Sequence, residues 1–232
     1  MPEALDTPGP IPIWEAGRDL FTTGFPDWYP NWWPVEPEMQ MPVLDIPCFD
    51  IAPVSATAFD KRGKASSPQA TLLHCYVADR KLRSQLSRPQ RFLEPFSHFW
   101  GITSPDFSIR AGDPKDLRIM AVRLNRMVGA FYQSKGIRVI PHLRWCDSRD
   151  YPFCFLGIQP SSTVSVSTHG LWRDQTLRKS ILDGLNVLCE RLSPPAVFVH
   201  GALPDAQFRA VAKRTQLIHF KDDRTRAFRG EI

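Results

Sequence analysis

Residues 104–147, SPDFSIRAGDPKDLRIMAVRLNRMVGAFYQSKGIRVIPHLRWCD, constrain this chain most, because they read in succession as a strand end, an amphipathic helix and a second strand. Leu117, Ala121, Leu124, Val128 and Phe131 recur at three- and four-residue spacing, which predicts a helix burying one face on a sheet. Asp113 reads as its N-cap, Pro114 as its first helical residue and Asp116 as the partner of a capping box, with Gly136 as the stop. Gly129 in mid-helix predicts close approach of another backbone, since glycine there costs about 1 kcal/mol relative to alanine.

The pattern repeats downstream. Apolar runs at 70–77, 100–104, 137–143, 163–168, 196–200 and 216–220 predict strands, and 43–47 can supply one more. Helical patterns lie at 80–99, broken near Pro89 and Pro95, and at 175–192 and 204–213, with a short extra turn at 151–155. Strands alternating with helices predict an α/β fold with a mainly parallel sheet of βα units. That sheet is either TIM-barrel-like, incomplete or irregular, or doubly wound, and periodicity does not separate the two.

Residues 1–50 are different in kind. They hold ten of the 22 prolines and four of the seven tryptophans, so long helices and central strands are excluded there. The expectation is a Pro/Trp-rich acidic extension wrapping a single α/β domain at 51–232. Trp28, Trp32 and Trp33 serve either as packing anchors or as a platform for stacking bases.

Charge follows the same division. Residues 1–60 carry one basic and ten acidic side chains, leaving 29 − 1 = 28 basic against 24 − 10 = 14 acidic in the remainder, a net +14. A body so basic suggests a phosphate-bearing partner, a nucleotide or nucleic acid, or an acidic extension lying over a basic face. Absence of a long apolar run argues against a membrane partner, and an acidic, proline-rich start unlike a secretory signal predicts a cytoplasmic protein. The five cysteines are scattered without a CxxC pair, so neither a disulfide framework nor a zinc site is suggested; Cys146 and Cys154 read as small core residues.

In a parallel sheet the residues after each apolar run converge on one edge. Asp106, in a Ser-Pro-Asp-Phe turn, is placed to act as nucleophile, general base, metal ligand or turn cap. His142 and His169 are candidate acid–base groups or ligands, and five of the six histidines fall in or at the end of an apolar strand. His142 and Arg144 share a facing by period two, and Asp147 could orient either. Ser167, Thr168 and His200 complete the edge as substrate-binding candidates. From the helix, Arg126 could reach a carboxylate or phosphate, with Asn125 and Gln133 beside it. No metal-ligand spacing and no particular cofactor is indicated, and metal binding by Asp and His from separate strands stays open, since such ligands need no sequence spacing. The standard loops and motifs of P-loop NTPases, dinucleotide enzymes, zincins, α/β-hydrolases and zinc deaminases are absent.

The pieces Ser104-Pro105-Asp106-Phe107-Ser108, Asn125-Arg126, Gly129-Ala130-Phe131-Tyr132-Gln133, Gly136-Ile137-Arg138-Val139-Ile140-Pro141 and Trp145 resemble a family of bacterial and phage proteins known as domain of unknown function 4417. Phe153 to Ile158, Val164 to Gly170 and His200-Gly201 extend the likeness, which covers about residues 100–203. The resemblance implies a setting of phages, mobile elements and bacterial chromosomes, and no activity. A weaker similarity of layout, an early strand-end Asp and a late His-Gly, is to TIM-barrel enzymes of the tRNA-guanine transglycosylase type, and it implies fold alone. Two readings stay open: an enzyme acting on a nucleotide or nucleic acid by N-glycosidic or phosphoester chemistry, and a non-catalytic DNA- or protein-binding module of a phage or plasmid.

Overall fold

The structure is a computed structural model and describes residues 34–222. Trp28, Trp32 and Trp33 lie outside the described residues. Seven strands occur among the described ones: β1 (Ser55–Ala58), β2 (Thr71–His74), β3 (Gly101–Thr103), β4 (Val139–Ile140), β5 (Val164–Ser167), β6 (Ala196–His200) and β7 (Gln216–Phe220). The helices between them are α1 (Asp79–Ser87), α2 (Leu93–Ser97), α3 (Lys115–Ser134), α4 (Tyr151–Cys154), α5 (Gln175–Leu192) and α6 (Asp205–Ala212).

The result is a mixed α/β fold with two small parallel sheets, β1-β2-β3-β4 and β5-β6-β7. Strand order follows chain order in both, without the reversal that marks a doubly wound sheet. A parallel bridge between His142 and Ser165 links them: Leu143 N–H donates to Ser165 O at 2.9 Å and Ser165 N–H to Pro141 O at 2.8 Å. On the β3 side the His142 N–H donates to Ser104 Oγ rather than to a backbone carbonyl, so β4 pairs over only two residues where seven are expected.

Both faces of the strands are buried, as parallel sheets require. Leu73, Ile102, Val139, Val166, Val197 and Val199 face the helices, against Leu82, Phe96, Leu124, Val128, Leu185 and Phe208. The alternate residues Leu72, Ile140, Phe198 and Phe220 form a second, smaller cluster together with Trp100. Phe49 closes it, its ring 5.0 Å from Trp100 and 6.0 Å from Phe198.

Several boundaries depart from expectation. The α3 helix starts at Lys115, because Pro114 keeps an extended ψ of 149°; no side chain caps it, so the capping box of Asp113 and Asp116 does not form. Pro95 sits in the first turn of α2, where a missing N–H is harmless, and only Pro89 separates helices. Residues 43–47 make a single bridge, Leu44 to Ile158, and no strand. The strand β1 has no counterpart in the apolar pattern, because Ser-Ala-Thr-Ala carries no large apolar residue.

The α3 helix is buried on more than one face. Residues 39–45 cover its outer side: Arg123 donates to Met39 O at 2.6 Å and Gln40 O at 2.9 Å. Gln133 holds both the N–H and the carbonyl of Asp45 at 2.9 Å. Side chains, not backbone, press on Gly129: a Cβ there would stand 2.9 Å from Leu44 Cδ2 and 3.1 Å from Ser104 Cβ.

Candidate functional site

The loop after β3 is held from three sides. Ser104 N–H continues the sheet to Ile140 O at 3.0 Å, and Ser104 Oγ accepts the His142 N–H at 2.8 Å. Asn125 Oδ1, from α3, accepts the Phe107 N–H at 2.8 Å, and Asp79 Oδ1, from α1, accepts the Ser108 N–H and hydroxyl. Between these pins the Asp106 carboxylate turns inward and is buried.

Asp106 meets Arg144 and His142. Arg144 Nη1 donates to Oδ1 at 2.9 Å and to Oδ2 at 2.8 Å. His142 Nε2 stands 2.9 Å from Oδ1, at ion-pair distance although off the line of a well-formed hydrogen bond, and His142 Nδ1 has no hydrogen-bond partner. Burial alone would push the Asp106 carboxyl up; Arg144 and His142 override it and hold the group well below the usual carboxylate range. Asp106 in turn, with burial opposing, raises the pKa of Arg144.

His142 belongs to a layer. Two residues beyond the apolar positions Leu72, Ile140 and Phe198 stand His74, His142 and His200, all buried on the side of the sheets away from the main helices. Tyr76 packs among them, its ring 5.3 Å from His74 and 4.9 Å from both His142 and His200, while His74 and His200 are 4.2 Å apart. Burial pushes the Tyr76 phenol well above its ordinary range; Ser165 opposes the shift but is not aligned for a full hydrogen bond.

Beside this layer opens a cleft of about 280 Å³, with Arg110, His142, Arg144, Trp145, Ser167 and His169 on its wall. Among the described residues no carboxylate lines it, since Asp106 lies behind His142 and Arg144, and the remaining wall is largely apolar. The cleft therefore suits a ligand with an anionic group and an apolar body. Cys146 also lines it, and burial pushes that thiol up to about 11, so it stands there as a thiol.

The remaining candidates separate. Arg126 is buried and donates to three carbonyls, Leu156 at 3.0 Å, His142 at 2.9 Å and Cys154 at 2.8 Å, which leaves no fork for a carboxylate or phosphate. Burial lowers its pKa to about 10. Asn125 positions the Asp106 loop from behind. Gln133 is engaged with Asp45, away from the cleft. Asp147 orients neither His142 nor Arg144: it caps the following turn and pairs with Arg149, whose hydrogen bonds bring its carboxyl to about 2. Thr168 Oγ1 donates to Ala202 O at 2.6 Å and is buried, whereas His169 is exposed at the rim, 3.8 Å from Asp222. Among the described residues no group of three or more His, Cys, Asp and Glu side chains is arranged to hold a metal ion.

One wall residue has a sequence cause that periodicity does not reveal. Trp145 lies flat on α5 at Gly184, where a Cβ would fall 2.1 Å from the indole, and Trp145 Nε1 donates to Ser180 O at 2.9 Å. Gly184→Ala is expected to lower stability by about 1–3 kcal/mol through overpacking. Urea unfolding checks this, and an unchanged midpoint would refute the packing.

The domain of unknown function DUF4417 matches residues 34–221, which takes in every strand of both sheets and the whole cleft. The chain belongs to the DUF4417 family. The family match begins at residue 34, well before residue 100, and so takes in residues 39–45, which brace α3. The Gene 1 protein of Mycobacterium phage L5 is 32% identical to this DUF4417 chain over 131 residues, 56% of the chain and 57% of that protein. The Gene 1 protein of Mycobacterium phage D29 is 30% identical over 131 residues, 56% of the chain and 48% of that protein. The chain thus spans about half the length of these curated relatives. No solved structure matches. Among the described residues no helix is long and apolar enough to cross a membrane.

Proposed function

We propose that this chain is an enzyme acting on a nucleotide or a nucleic acid, at an N-glycosidic or phosphoester bond, in the cleft beside Arg144. The observation that carries the reading is the buried Asp106 carboxylate against His142 and Arg144, with a wall that holds cationic groups and, among the described residues, no carboxylate. Arg144 would bind the anionic group and Arg110 would add charge at the mouth. His142, held against Asp106, would move the proton, and His169 and Ser167 would contact the substrate from the opposite rim.

A TIM-barrel-like reading of the fold goes with this. It is supported by the strand order, by the bridge between the two sheets, and by the layers that β2, β4 and β6 contribute in alternation, Leu72, Ile140 and Phe198 below His74, His142 and His200. Such barrels carry their sites at the C-terminal strand ends, where this cleft lies.

The test is product analysis. Incubated with nucleoside monophosphates and with short DNA and RNA, the full chain is expected to release either free base or a new phosphate end from one of them. Release of neither from any substrate would leave a binding module and sink the enzyme reading.

A further inference from the structure

We infer that the face built by residues 59–64, α1 and residues 88–92 is a docking surface for the phosphodiester backbone of a nucleic acid. This rests on the reading of the cleft given above and assigns the polymer a second site of contact.

The charge is concentrated there. Residues 59–91 hold eight Lys and Arg against two Asp, a net of 8 − 2 = +6. The rest of the described chain, 34–58 and 92–222, holds 17 Lys and Arg against 15 Asp and Glu, a net of only 17 − 15 = +2. Of the two Asp, Asp79 is buried against Ser108, and Asp60 is paired with Lys81, whose charge it offsets.

The three segments form one surface. The Lys81–Asp60 pair ties α1 to residues 59–64, and Phe59 lies 6.0 Å from Phe92 and 6.4 Å from Phe96. Arg62 stands over the Phe92 ring at 5.9 Å. In α1 the buried positions are Asp79, Leu82, Gln85 and Leu86, which leaves Arg80 and Lys81 exposed, and Arg88, just after the helix, is exposed too. Lys64 and Arg91 are exposed as well. The loop between them offers the exposed hydroxyls of Ser66 and Ser67 as neutral phosphate donors.

The surface leads to the cleft. Asp79, the first residue of α1, holds the loop that carries Asp106, and Arg110 on the cleft wall lies 3.9 Å from Asp79. The N-terminal end of α1 therefore stands beside the cleft wall. Long-range attraction by several exposed cations fits a polyanion read by its backbone and without base specificity.

The test is binding of DNA duplex, DNA single strand and RNA of equal length, with affinity followed against salt. Wild type is expected to bind at least one of them with a steep salt dependence. The quadruple variant Lys64→Gln, Arg80→Gln, Arg88→Gln and Arg91→Gln should bind at least about tenfold more weakly, its salt slope reduced by roughly one for each lost phosphate contact. A second quadruple variant, Lys115→Gln, Lys135→Gln, Arg209→Gln and Lys213→Gln, removes the same charge from exposed positions elsewhere and should bind like wild type. Equal weakening in both sets, no nucleic-acid binding by wild type, or preference for vesicles of anionic phospholipid would each overturn the inference. Mononucleotide turnover in the cleft is measured in parallel, and its persistence in the first variant separates failure of this surface from failure of the cleft reading.

Discussion

Arg126→Met is expected to lower unfolding stability by about 3–6 kcal/mol, since three buried carbonyls lose their donor and each unpaired group costs roughly 1–3 kcal/mol, partly offset by burial of the apolar side chain. Against a total of about 5–15 kcal/mol for a domain, that is enough to leave much of the protein unfolded. The guanidinium ties α3 to the carbonyls of His142, Cys154 and Leu156, so the loss would also loosen the strand segment that carries His142. Arg126→Lys should recover less than half, because an ammonium does not present the planar fork that reaches three acceptors. Arg123→Met is the control: its carbonyl partners belong to residues 39 and 40 near the surface, and about 1 kcal/mol is expected. Equal losses at the two positions in urea unfolding would contradict the interior role.

The second large effect concerns the chemistry. His142→Asn and Asp106→Asn are each expected to lower turnover roughly 10²–10⁴-fold, the usual contribution of a positioned acid–base group. Asp106→Asn also carries a pH signature. A carboxyl held below its unfolded pKa of about 3.9 contributes stability that is fully present above that value and lost as pH falls through the folded one. The stability difference between wild type and Asp106→Asn should thus be level from pH 7 to about 5 and shrink below about 4. A difference that grows on acidification would show the carboxylate to be destabilising where it stands.

Much of this site was legible because a parallel sheet brings successive strand ends to one edge. Asp106, His142 and Arg144 meet for that reason, and the pattern apolar-x-His at Leu72, Ile140 and Phe198 is visible in the sequence once the register is known. Helix α5 and strands β6 and β7 have the bounds that the pattern predicts, because a sustained apolar stripe and short Val- and Phe-rich runs bounded by turn residues leave little choice. What periodicity could not show was long-range covering. Arg126 lies off the stripe of α3 and looks solvent-facing until residues 39–45 and the α4 region close over that side. The same blindness hid Gly184, whose partner Trp145 is distant in sequence, and β1, whose small residues acquire their strand character only from pairing with β2.

Arg144 and the cleft, as proposed, form an anion site for a nucleotide. Equilibrium titration of a nucleoside monophosphate into wild type and into Arg144→Gln tests that site. Wild type is expected to bind saturably, and the variant with a dissociation constant at least about tenfold weaker, equal to about 1.4 kcal/mol. Undiminished binding by a folded Arg144→Gln, or no binding by wild type, would contradict it.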